Sequence, residues 1–154
     1  LWRGPVLARW RMIVLFWTGT AAVSTAVVFL IDPALFLSFA LSRPEFWLIV
    51  MIAYPIASAW PQELIYRSLF FERYGGLIAN PALLIALNGA AFGLGHLFYM
   101  NWITIAMTAC GGAIMAWAYL RNRSVLLAWV LHSVAGQTLF TVGLGAYFYH
   151  GAVA

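Results

Sequence analysis

Residues 12–31 hold no charged side chain: the run is aliphatic, aromatic and small residues throughout. A helix of about 20 apolar residues matches the hydrocarbon thickness of a bilayer, so this run reads as a membrane span. Comparable apolar runs follow, from 44 through 74, from 81 to 98, from 101 to 120 and from 124 onward. The chain as a whole is 65% hydrophobic and 8% charged. A soluble domain of this length needs far more polar surface, so the soluble classes are excluded. The expected fold class is an all-α integral membrane protein, a bundle of about five transmembrane helices around a polar intramembrane cavity. One domain over 1–154 is the economical reading. The chain begins on Leu1 rather than Met, which leaves room for residues upstream.

The formal charge is +4, and all eight basic residues are Arg. They lie scattered between apolar runs, which suits topology signals and lipid headgroups rather than a nucleic-acid partner. With the N-terminus inside, Arg3, Arg9, Arg11, Arg67, Arg73, Arg121 and Arg123 fall at inner ends, and Arg43 lies outside. The bilayer is thus one partner, and the expected setting is a bacterial or archaeal cytoplasmic membrane. Cys110 is the single cysteine, so no internal disulfide forms.

Boundary signals divide the runs. Asp32-Pro33 ends the first span, and the apolar piece 34–41 is too short to cross alone. Ser42-Arg43-Pro44-Glu45 has the spacing of a capping box, opening a helix to 74 with Pro55 and Pro61 inside it. Each proline removes a backbone hydrogen bond and bends the helix. Gly75-Gly76 stops that helix, and Asn80-Pro81 starts the next as cap and first residue. Asn88, Phe92 and His96 follow at steps of four, one stripe. Asn101 opens the fourth span, where Thr108, Gly111 and Gly112 allow close helix contact. The fifth begins near Ser124, carries His132 and ends in the aromatic Tyr147-Phe148-Tyr149, with His150 at the interface.

The polar residues inside these spans carry the functional signal. Glu63 and Arg67 are four apart and share a helix face, and an ion pair at membrane depth is by default a functional-site hypothesis. Helical rise puts Glu63 roughly 16 Å, His96 roughly 20 Å and His132 roughly 12 Å from the inner helix ends. One carboxylate and two imidazoles on three helices therefore reach similar depth. Two His and a carboxylate with an open position form a common catalytic zinc set, so zinc on Glu63, His96 and His132 is one reading. The same groups can activate water without metal, as base and oxyanion donors. Bis-histidine haem ligation is a third. Neither a His-Glu-x-x-His motif nor a serine-nucleophile motif is present, and Ser133 is about 100° around the helix from His132.

The pattern Gln62-Glu63-x-x-x-Arg67, Phe92-x-x-x-His96, His132-x-x-x-Gly136 resembles the CPBP family of intramembrane proteases, the type II CaaX prenyl proteases and the bacteriocin-processing Abi proteins. That family carries Glu-Glu-x-x-x-Arg, Phe-x-x-x-His and His-x-x-x-Asn in the same order, and the resemblance covers about 44–145. It implies hydrolysis of a peptide bond in a membrane-anchored peptide or protein, prenylated or carrying a sorting tail. Carried over residue by residue, it implies water activation at Glu63 or Gln62 with His96, and oxyanion stabilisation or metal ligation by His132. Arg67 would orient Glu63 or bind a substrate carboxylate.

Two positions depart from the pattern. The first Glu is Gln62, which cannot take a proton at neutral pH. The Asn is Gly136, and the adjacent Gln137 points about 140° away from His132. Four readings stay open here. Glu63 replaces the missing base, or His96 acts alone or with a metal, or the protein is a non-catalytic relative, or Gln62 is an engineered replacement. The alternative class is an inactive membrane protein that binds peptide or lipid, confers immunity or serves as a structural subunit.

Overall fold

The computed structural model describes residues 6–148. Arg3, Tyr149 and His150 lie outside the described residues. Five helices are long and apolar enough to cross a membrane. A 3-10 turn, Val6–Arg9, leads into α1, Trp10–Ile31. The short α2 is Ser38–Ser42, and α3 is Pro44–Tyr74. Then come α4, Pro81–Leu94, α5, Trp102–Asn122, and α6, Val125–Val142. The chain is thus an all-helical integral membrane protein. Half of the most apolar window of α6 is buried, against 11% for α1 and for α3. So α6 is the central element, while α1 and α3 present residues such as Leu30, Ile52 and Ile56 outward to lipid.

Most caps form as the sequence leads one to expect. The Asp32 side chain accepts from the Ala34 amide at 3.0 Å, just past the end of α1. Asn80 Oδ1 accepts from the amides of Ala82 and Leu83, and Asn101 Oδ1 from those of Ile103 and Thr104. Ser124 Oγ accepts from Leu127 N at 3.2 Å. Each satisfies amides that a helix start otherwise leaves unpaired. The capping box at Ser42 does not form. Ser42 closes α2 instead, its hydroxyl donating to the Ser38 carbonyl at 2.6 Å. Arg43 takes the cap position of α3 without a side-chain bond, and Pro44 is the first helical residue. Ser42 is still helical as the last residue of α2, so it stands one position short of the cap that Arg43 occupies.

The two prolines of α3 act by widening the helix. Residues Tyr54–Ala59 and Leu64–Leu69 are π-helical and flank a short α turn, Trp60–Glu63. The Trp60 amide reaches back to the Pro55 carbonyl and the Phe70 amide to Ile65, both five residues away. Such π turns are frequent at functional sites because they re-aim the residues beside them.

Helix α4 packs on α5 through small residues. A Cβ on Gly89 would lie 2.9 Å from the Ala113 Cβ, and one on Gly93 2.8 Å from the Ala109 Cβ. Without a hydrophobic driving force between helices in lipid, such close approach supplies the packing. Gly112 of α5 has the expected packing role: a Cβ there would lie 2.8 Å from that of Phe92. Gly111 meets nothing and lines a cavity instead.

Candidate active site

The site grows from the buried pair on α3. Glu63 and Arg67 are both fully buried. Arg67 Nε lies 3.1 Å from Glu63 Oε2. The angle there is poor for a hydrogen bond, and Oε2, Nε and Nη2 have no hydrogen-bond partner. The pair is held from elsewhere. Arg67 Nη1 donates to Asn88 Oδ1 at 2.8 Å, and Asn88 Nδ2 donates to the Tyr66 carbonyl at 2.6 Å. The guanidinium also sits over the Phe92 ring, 5.1 Å from its centroid. Asn88 and Phe92 thus lock α4 to α3 through one cation.

The free side of Glu63 faces α6. His132 Nδ1 donates to Glu63 Oε1 at 2.8 Å. A carboxylate beside an arginine accepts, so the His132 ring proton belongs on Nδ1 and Nε2 is the remaining nitrogen. His96 is fixed in the same sense by a different acceptor. Its Nδ1 donates to the Phe92 carbonyl at 2.7 Å, which also leaves Nε2. His96 is not on the α-helix, however. It lies beyond the end of α4 at Gly95, at φ −105°, before a 3-10 turn at Leu97–Tyr99. The expected stripe of Asn88, Phe92 and His96 is helical only for its first two members. Phe92 still gathers both imidazoles: its ring centroid is 4.8 Å from that of His96 and 5.4 Å from that of His132.

A cavity of about 770 Å³ opens beside these rings, lined by Tyr54, Gln62, His96, His132 and Gly136 on its polar side. The lining from α1 and α5 is mostly apolar, with Thr20, Ser24 and Thr108 as its polar members. Glu63 and Arg67 do not line it; they stand behind His132. Gln62 does line it. Its Nε2 donates to Ser58 Oγ at 2.9 Å, and its buried Oε1 has no hydrogen-bond partner. Gln137 faces away, with Nε2 donating to the Met51 carbonyl at 2.8 Å. Ser133 is buried off the cavity.

Zinc does not fit this arrangement. Among the described residues no group of three His, Cys, Asp or Glu side chains is placed to hold a metal ion. Glu63 already spends one oxygen on His132 and the other against Arg67. What the arrangement offers is two oriented imidazoles, an amide carbonyl and several hydroxyls, Tyr54 and Ser24 among them, around one cavity.

Tyr54 escapes a motif reading, because its role depends on Gly136. A Cβ at position 136 would overlap the Tyr54 ring and hydroxyl. A periodic signal existed: Tyr54, Ser58 and Gln62 recur at steps of four and all line the cavity.

No curated protein and no solved structure matches the chain. A family model described as type II CAAX prenyl endopeptidase Rce1-like matches residues 44–136. That stretch is more than half of the chain and contains all three segments that meet around Phe92. The chain therefore belongs to the type II CAAX prenyl endopeptidase Rce1-like family.

Proposed function

We propose that the protein is an intramembrane endopeptidase that hydrolyses a peptide bond of a prenylated, membrane-anchored peptide without a metal. The observation that carries this reading is the pair of imidazoles on one cavity, each with Nδ1–H tied to a fixed acceptor. The mostly apolar lining from α1 and α5 suits a lipid chain. Family membership supports the reaction class.

In this mechanism the orphaned Gln62 Oε1 accepts a hydrogen bond from the attacking water, and His96 Nε2 takes the water's proton. Gln62 positions but cannot deprotonate, so His96 is the sole base. The water oxygen bonds to the carbonyl carbon, and the electron pair moves to the carbonyl oxygen. His132, oriented by Glu63, faces that oxygen when protonated. Collapse breaks the C–N bond, and the proton on His96 passes to the leaving nitrogen, giving an amine and a carboxylic acid that then ionises to solvent. Glu63 and Arg67 act through His132 rather than on substrate. The arginine asymmetry supports an inner N-terminus.

The test uses the full chain in proteoliposomes with an internally quenched, farnesylated Cys-aliphatic-aliphatic-X peptide. Wild type is expected to cleave it, with a chelator having no effect. His96→Ala is expected to lose about 10²–10⁴-fold, the usual contribution of a general base. Equal rates in wild type, His96→Ala and His132→Ala sink the mechanism. A specific observation favours a second reading, a peptide or lipid binder: the family's proton-accepting Glu is Gln62. Binding of the probe without cleavage, with cleavage appearing in Gln62→Glu, would establish it.

A further inference from the structure

With the Nδ1 protons of both imidazoles committed to Phe92 and Glu63, protonated His132 brings a single histidine N–H, at Nε2, to an oxyanion. Hydrolysis through a tetrahedral intermediate needs such donors where the oxyanion forms. Gln62 spends one of its two amide N–H donors on Ser58, and in this mechanism its oxygen holds the water rather than the oxyanion. Gln137 does not supply a donor, because it points to Met51 and does not line the cavity.

Among the hydroxyl side chains that line the cavity, Tyr54 is one whose ring packs edge-on against His132. Its ring lies over Gly136 and between His132 and Phe140 on α6. The centroids are 5.8 Å from His132 and 5.6 Å from Phe140, both edge-on. The fit requires glycine: a Cβ at 136 would collide with the ring carbons and the hydroxyl oxygen. Two cross-links fix the backbone on either side of Tyr54. Gln137 Nε2 holds the Met51 carbonyl, and Trp129 Nε1 holds the Pro55 carbonyl at 2.7 Å. Both ties run from α6 to α3 and bracket Gly136 as well. The Tyr54 hydroxyl takes no part in the hydrogen bonds of Glu63, Arg67, Asn88, His96 or His132.

We propose that Tyr54 is a catalytic residue whose hydroxyl, set beside His132 by the absence of a side chain at Gly136, donates a hydrogen bond to the oxyanion. Position 136 and position 54 form a reciprocal pair. Removing the side chain at 136 makes room for the ring, and the ring's hydroxyl supplies the donor that 136 lacks. The proton stays on the tyrosine oxygen throughout, so the step adds no proton transfer to the hydrolysis.

This proposal rests on the hydrolytic reading, and the two are separable with the same farnesylated probe. Wild-type cleavage that His96→Ala abolishes tests the reading alone. Tyr54→Phe then tests the donor, because it removes one oxygen and keeps the packed ring. The expected result is a kcat lower by about 10²–10³-fold, the usual cost of one oxyanion donor, with KM and thermal midpoint unchanged. An unchanged kcat in Tyr54→Phe, with wild type active, overturns this proposal and leaves the reading standing. A wild type that does not cleave overturns both. Should Tyr54→Phe lower the thermal midpoint, the double variant Tyr54→Ala with Gly136→Asn decides. An asparagine has room there only when the ring is gone, and its amide restores a donor. Cleavage above that of Tyr54→Ala alone supports the donor role; no recovery overturns it.

Discussion

Gln62 and Glu63 are neighbours on α3 with opposite surroundings. Glu63 is fully buried, divided between His132 and Arg67, and absent from the cavity wall. Gln62 lines the cavity and carries an oxygen without a partner. One step along a helix turns a side chain by about 100°. Here that turn separates a group that holds the site together from one that meets its contents. Adjacent polar residues in a membrane helix therefore need not share a task. The buried layer behind the wall holds Glu63 and Arg67, and among the described residues the wall itself holds no Asp, Glu, Lys or Arg.

The sharpest break of this contrast is at Glu63. Glu63→Ala leaves Arg67 buried without its counter-charge, so a loss of about 3–5 kcal/mol is expected, read as a fall in thermal midpoint in detergent. Gln62→Ala should barely move that midpoint, and equal falls in the two variants would erase the distinction. Next comes Asn88→Ala, which strands Arg67 Nη1 and frees the Tyr66 carbonyl; about 1–3 kcal/mol is expected, with cleavage falling because His132 loses its orientation at second hand. Gln62→Glu puts a base on the wall. Cleavage should rise by up to about 10²-fold, and a total loss would mean that the amide itself is required. The smallest effect is expected at Ser133. Replacing its buried, unpartnered hydroxyl by alanine is close to neutral for stability and should leave the cleavage rate untouched, although Ser133 is next to His132.

The span count was legible because membrane helices announce themselves by length and lack of charge. The caps at Asn80, Asn101 and Ser124 were legible for a local reason: a side chain bonds an amide two or three residues on, and nothing distant competes. At Ser42 the local pattern failed because that residue ends α2, and Arg43 stands at the cap. His96 shows where periodicity stops being informative. Helical spacing continues through 96, yet the α-helix ends at Leu94. The ring still reaches Phe92 because its bond goes to that residue's carbonyl. The depth match of Glu63, His96 and His132 came from rise per residue alone, but depth says nothing of azimuth. That is why Glu63 could be expected on the water and is found behind His132. Neighbouring positions differ by about 100° of azimuth, so which of Gln62 and Glu63 meets the cavity is set by how α3 packs against α6.

By itself the sequence determined the class of fold, the order of the spans and the set of polar groups at membrane depth. Those follow from transfer of side chains between water and lipid, which depends on composition and run length. Only the tertiary structure decided which polar group faces the cavity and which lies behind it, because that depends on contact between helices distant in sequence. The pairing of Gly136 with Tyr54 is the clearest instance. A missing Cβ on α6 has meaning only through the ring on α3 that occupies its place.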